Sequence, residues 1–247
     1  MDSPGYIILS RLTLQSRATQ VLAHNVANAD TPGFRALRPV FAEFVARQDL
    51  AGTPSGGRSV HHVQDRATWR EMQTGPMQMT GNPLDLALTG DGFFAVETPR
   101  GERFTRAGRF TIGDGGRIVD MEGNPLLNDQ GEPIAVAAND TRIEIQGDGT
   151  IRSENGTLGR IRVVRFDNVQ ALKAEGDRIF DAGAEQPQPV DRPAIRQGVL
   201  EGSNVQPILE MTRLTAELRE FQFAAQFAER EGERLSTAVE RILRRRS

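Results

Sequence analysis

The feature that most constrains this chain lies near its end. Met211, Leu214, Leu218, Phe221, Ala225, Ala228, Gly232, Leu235, Val239 and Ile242 recur in alternating steps of three and four without a break. That is heptad spacing, the mark of a long helix with one apolar stripe. Charged residues fill the positions between, among them Glu210, Arg213, Glu217, Arg219, Glu220, Glu229, Arg230, Glu231 and Glu233. Ser203 and Asn204 are good N-cap residues, and Gln206 stands three after Ser203 as in a capping box. Pro207 suits a first turn, where its missing N–H has no partner anyway. Arg244, Arg245 and Arg246 suit the negative end of the helix dipole.

A second helical segment runs from about Ser3 to Asn28. Leu9, Leu12, Ser16, Thr19, Ala23 and Val26 follow the same steps, but half of them are small or polar, so this stripe is weak. A helix of ~25 residues is ~38 Å long. Neither terminal helix can bury its stripe alone. The economical arrangement pairs first helix with last, and the small residues of the first permit close approach. Two helices still leave a face uncovered, so the sequence predicts assembly with further copies.

Between the ends, "LDLAL" (84–88), "FFAVET" (93–98), "RFTI" (109–112), "RIEI" (142–145) and "RIRVVRF" (160–166) alternate or run apolar at strand length. "GDG" (90–92), "GDGG" (113–116), "EGNP" (122–125), "GDG" (147–149) and "ENG" (154–156) separate strands with the turn chemistry of tight hairpins. The expected fold class is α+β: the N- and C-terminal helices pair as a discontinuous, coiled-coil-like helical domain, and a central antiparallel β-rich domain lies between them. In residues, 1–34 and 203–247 form the helical domain. An extended, loose linker spans 35–80 and includes the polar, Gly- and Ser-rich stretch 46–65. The β domain covers 81–181, and a Pro-rich connector, 182–202, leads back to the last helix.

Composition narrows the function. Hydrophobic residues make up 38 % and aromatics 6 %, which suits a thin core or burial against partners. A net charge of −3 gives no electrostatic case for nucleic acid. The absence of cysteine removes thiolate catalysis, zinc–cysteine sites and disulfides. No stretch reaches the roughly 18 apolar residues of a membrane helix, so no membrane insertion is expected. The acidic opening "MDSPGYIILS" does not read as a cleavable signal peptide. His24, His61 and His62 are the only histidines, and the adjacent pair falls in the loose stretch, so no histidine site is expected.

Nor does the middle read as chemistry. A calcium loop starting at Asp91 would need ligands where Phe93 and Ala95 stand, and one starting at Asp114 where Gly116 and Ile118 stand. Trp69 with Phe93 and Phe94 could make a sugar-binding platform, but such aromatics are more often sheet core. No cofactor, metal or catalytic residue is expected. A β-rich carbohydrate-binding or hydrolytic module with incidental helices is the alternative of another class, and a calcium-binding adhesin a third.

The helix exit, "HNVANADTPGF" (24–34), is unusual. Asn25 and Asn28 share a helix face and can each donate and accept, capping their own chain or a neighbour's. Thr31 precedes proline and is pushed to an extended shape. Pro32-Gly33 fits the centre of a type II turn, with Phe34 anchoring the chain that leaves it.

These residues carry a resemblance. "NVANADTPGFRA", "LDLALTGDGFFAVETPRGERFTRAGRFTIGDGGRIVDMEGNPLL" and "QGVLEGSNVQPILEMTRL" are similar, in that order, to the signatures of the flagellar axial proteins, the rod, hook and hook-associated components. His24 departs from the asparagine usual there. The length resembles the rod proteins that carry a sheet domain, the proximal-rod type first and the distal-rod type second. The resemblance implies a non-enzymatic structural subunit of the basal-body rod in the periplasmic space, whose terminal helices pack in the inner tube and transmit torque. It implies copies of itself and other rod proteins as partners, and passage through the flagellar type III export apparatus. It also marks Asn25, Asn28, Thr31, Pro32, Gly33 and Phe34 as an assembly motif.

Overall fold

The computed structural model describes the backbone of residues 3–48, 58–176 and 178–244, and the side chains of most of these outside 3–8 and 41–67. Two compact units form. The first comprises Met1–Ala27, Leu37–Arg70 and Gln206–Ser247, and the second Asn28–Ala36 and Glu71–Val205.

The first unit holds helix α1 (Ser3–Ala27), helix α2 (Pro207–Arg244) and an antiparallel ribbon of strands β1 (Leu37–Gln48) and β2 (Arg58–Arg70). The two helices pack on each other, as the sequence predicts, and α1 also packs on the ribbon. Pro207 opens α2, and the first helical bond runs from the Glu210 N–H to the Gln206 carbonyl.

The ribbon corrects the reading of 35–80 as a loose linker at 37–48 and 58–70; residues 49–57, within the stretch 46–65, lie outside the described residues. The ribbon is held by backbone pairing from Leu37↔Arg70 to Gln48↔Arg58, which no side-chain pattern announces. A register shift between Val40 and Phe41 breaks the period-two alternation as well. His61 and His62 fall within β2, and their side chains lie outside the description.

The second unit is antiparallel β. Its main sheet has six strands, in spatial order Lys173–Glu175, Ile179–Asp181, Gly101–Thr105, Phe93–Thr98, Val163–Arg165 and Gln188–Pro189. Phe93 and Phe94 point to opposite faces, and both are buried. Phe94 joins Leu86, Val96, Phe110 and Leu126 in one core cluster, and Phe93 joins Phe104, Val164, Phe166 and Phe180 in another. Edge-to-face ring contacts at 4.9–5.8 Å tie the second cluster together. The pair is therefore sheet core rather than a sugar platform. Trp69, in the other unit, is 43 % exposed.

The supposed connector 182–202 is also part of this unit. Gln188–Pro189 forms a sheet edge, Ile195–Gln197 pairs with Leu86–Leu88, and Val199–Glu201 pairs with Met77–Met79. Strands of two or three residues are too short to show a period, and Pro189 is tolerated because it sits on an edge. Residues 28–36 likewise belong with the β unit rather than with the helices.

Candidate assembly surface and helix-exit network

The exit from α1 is built from amides that replace a missing strand partner. Asn25 Oδ1 accepts the Leu37 N–H at 2.8 Å, and Asn25 Nδ2 donates to the Leu37 carbonyl at 2.9 Å. The side chain thus satisfies both polar groups of the residue that opens β1. Nδ2 also donates to Glu210 Oε2 at 3.2 Å. Glu210, 0 % exposed, pairs through Oε1 with Arg38 at 2.7 Å and Arg213 at 2.9 Å. One network therefore joins α1, β1 and the first turn of α2. Two arginines and an amide compensate the burial of one carboxylate. Asn25 serves its own chain, which the sequence left open. The sequence pattern puts Glu210 among the outer-face charges, and the structure buries it. Its position in the first turn, where the helix dipole favours an acid, was the available signal.

In the second unit, Asn28 accepts from Thr31 twice, through its carbonyl from the N–H at 3.2 Å and through Oδ1 from the hydroxyl at 3.1 Å. Phe34 N–H then donates to the Thr31 carbonyl at 3.2 Å, closing a turn with Pro32 and Gly33 at its centre. Gly33 has φ 71°, the conformation a type II turn requires at that place. A Cβ on Gly33 would also lie 2.5 Å from the Ala107 nitrogen. Gly33 N–H donates to the Glu201 carbonyl at 2.8 Å, and Phe34 is fully buried with Ala36 and Val205. The "TRAGRF" segment explains itself the same way: a Cβ on Gly108 would fall 1.6 Å from the Leu86 carbonyl oxygen.

Behind the turn, Arg35 and Glu201, each 1 % exposed, meet at 2.5 Å. Arg106 reaches the same carboxylate at 3.4 Å and stacks 5.5 Å from the Phe93 ring centre. Burial pushes the Arg106 guanidinium below its ordinary value; Glu201 opposes the shift and Arg35 adds to it.

Asn204 is not a helix cap. Its Oδ1 accepts the Ala36 N–H at 2.7 Å, and its Nδ2 donates to the carbonyls of Glu71 at 2.7 Å and Gln73 at 3.0 Å. Ser203 Oγ accepts from Val205 N–H, two residues on. The capping-box reading fails because both side chains are committed to the run that precedes the helix.

The heptad residues fall in unequal places. In α1 the buried face is Leu14, Ala18, Val21, Leu22 and Asn25. Leu9 is 64 % exposed, and Leu12 and Val26 are half-buried, so the stripe read from the sequence lies about a third of a turn away from the packed face. In α2, Met211 is 55 %, Leu218 44 % and Phe221 36 % exposed, whereas Leu214, Ala225 and Ala228 are half-buried. A seven-residue period drifts ~20° per heptad around a straight helix, so one stripe cannot face one neighbour throughout. The side chains of Leu235, Val239 and Ile242 lie outside the description. Ile208 at 84 %, Phe223 at 70 % and Phe227 at 58 % exposure enlarge the apolar surface of α2 beyond the heptad positions. Large exposed apolar areas of this kind mark interaction surfaces.

Among the described residues, no cluster of histidine, cysteine or carboxylates could hold a metal, and no helix is long and apolar enough to cross a membrane.

Family models match the chain in three places. The Flagella basal body rod protein model matches residues 6–35, the Flagellar hook protein FlgE/F/G D1 domain 87–153, and the Flagellar basal body rod FlgEFG protein C-terminal model 196–241. These cover the helix exit, part of the β unit and nearly all of α2. The chain is 36 % identical over 246 residues to the flagellar basal-body rod protein FlgF of Caulobacter vibrioides, covering 98 % of each. It is 36 % identical to FlgF of Mesorhizobium japonicum over 91 % of each chain. It is 29 % identical to FlgG of Bacillus subtilis over 82 % of this chain and 84 % of that one. With both ends and the central sheet matched in order, and a FlgF relative similar along nearly its whole length, the chain belongs to the flagellar basal-body rod protein family.

Proposed function

We propose that this rod-family subunit works in the proximal rod, joined to copies of itself and to other rod proteins, and carries torque through its terminal helices. It acts as a structural element with no catalytic role. It reaches the periplasmic space through the flagellar export apparatus. The observation that carries the reading is the apolar surface of α2, where Leu218 is 44 %, Phe223 70 % and Phe227 58 % exposed in the single chain. A helix so uncovered gains its stability from neighbours. Many small contacts spread along a long helix would share a twisting load.

Placement in the distal rod is the second reading, favoured by the similarity to FlgG of Bacillus subtilis. Complementation separates the two. Expression in Caulobacter vibrioides lacking its own FlgF is expected to restore swimming, and expression in cells lacking FlgG is not. Rescue of the FlgG-deficient cells alone would move the protein to the distal rod, and rescue of neither would remove the rod reading. Leu218→Asp, at an exposed position, is expected to abolish rescue with a stability change within about 0.5 kcal/mol.

A further inference from the structure

Helix α2 presents two different exposed flanks. At about 100° per residue, Leu209, Phe223 and Phe227 share a sector of the helix with Arg219, Arg230 and Arg241, within ~80° of arc. Met211, Leu218 and Leu243 share another, also ~80° wide, with Glu229, Glu233 and Glu240, and its centre lies ~120° from the first. The face toward α1, which includes Glu210, Glu217 and Ala228, occupies the remaining third. All twelve flank side chains are exposed. Among the described residues, the side chain of none of the six charged ones makes an ion pair or hydrogen bond, whereas Arg213 is paired with Glu210 and Arg234 with Glu231.

We propose that these flanks are the two halves of one contact between copies of this chain: the aromatic, basic flank of one α2 lies against the aliphatic, acidic flank of the next. The occupant is identified by complementarity. Each flank carries the charge that the other lacks, both carry apolar residues to bury, and both belong to the same helix. Such a contact uses different surfaces on its two sides, so it is heterologous and leaves each end open for another copy. A self-complementary patch meeting itself would set arginine against arginine. This inference rests on the rod reading but adds which surfaces meet and that their charges decide the pairing.

The test uses the full-length chain and two triple variants. Arg219→Glu/Arg230→Glu/Arg241→Glu makes both flanks acidic, and Glu229→Arg/Glu233→Arg/Glu240→Arg makes both basic. Sedimentation velocity at low salt is expected to show self-association of the unaltered chain that weakens with added salt. Each variant alone should associate at least about ten-fold more weakly, and an equimolar mixture should recover association. Circular dichroism checks that α2 persists in each variant, as expected for exposed positions. Variants that associate like the unaltered chain would overturn the proposal, and so would a mixture that stays as weak as its components. The rod reading is scored separately by the unaltered chain's rescue of swimming: rescue with charge-insensitive association rejects the flank pairing alone.

Discussion

Asn25 and Leu37 exchange two hydrogen bonds, at 2.8 and 2.9 Å, so that a helix side chain pairs with the backbone opening a strand as another strand would. The same amide leans on Glu210, and through it the last turn of α1 and the first turn of α2 share one network. The family motif at the helix exit therefore has an internal structural job.

Replacing Asn25 tests that job. Asn25→Ala leaves the Leu37 N–H and carbonyl without their partner and removes one of the donors to a fully buried carboxylate. The expected cost is about 2–4 kcal/mol. Urea unfolding of the full chain followed at 222 nm should show the helical signal lost at lower denaturant. A midpoint equal to that of the unaltered protein would mean the amide is dispensable.

Gly33 is held by two independent constraints, a φ of 71° and a backbone 2.5 Å from where its Cβ would be. Gly33→Val is expected to cost roughly 3 kcal/mol or more, because a β-branched residue resists positive φ and the Ala107 backbone cannot yield cheaply. Near-ultraviolet dichroism of the phenylalanine-rich β unit should report an earlier transition. Normal stability would show that the turn is drawn wrongly.

Glu217 supplies a pH dependence. Burial raises its carboxyl above the ordinary value, nearby Glu220 raises it further, and Arg11 opposes. The folded state then binds the proton more tightly than the unfolded chain. This group's contribution therefore grows more favourable as pH falls from neutrality into the carboxylate range. Glu217→Gln should raise the helix unfolding midpoint at pH 7 and flatten its pH dependence. A lowered midpoint at pH 7 would contradict the assignment.

Buried and exposed apolar positions should separate folding from assembly. Leu14, packed in α1, is expected to lose about 2–4 kcal/mol as Leu14→Ala. Phe221→Asp, at a position 36 % exposed on α2, should cost much less in unfolding experiments and yet block incorporation into rods, read by motility and by recovery of the protein with basal bodies. Swimming cells carrying Phe221→Asp would remove this face from the assembly surface.

The sequence by itself determined the two terminal helices, the Pro32-Gly33 turn and the strand-and-turn rhythm of the middle, because each is a local matter of period, capping and backbone freedom. Ser3–Ala27, Phe93–Thr98 and Ile143–Ile145 lie where those signals put them. Tertiary structure alone decided the rest. It chose Leu14, Ala18 and Leu22 over Leu9 as the packed face of α1, since a weak stripe does not fix which way a helix turns. It drew Leu37–Gln48 and Arg58–Arg70, and the short strands Gln188–Pro189, Ile195–Gln197 and Val199–Glu201, into sheets through backbone pairing, which side-chain period does not encode. And it buried Glu210 and Glu201, because a charge can leave water only where distant arginines and amides arrive together, and that meeting is set by the fold.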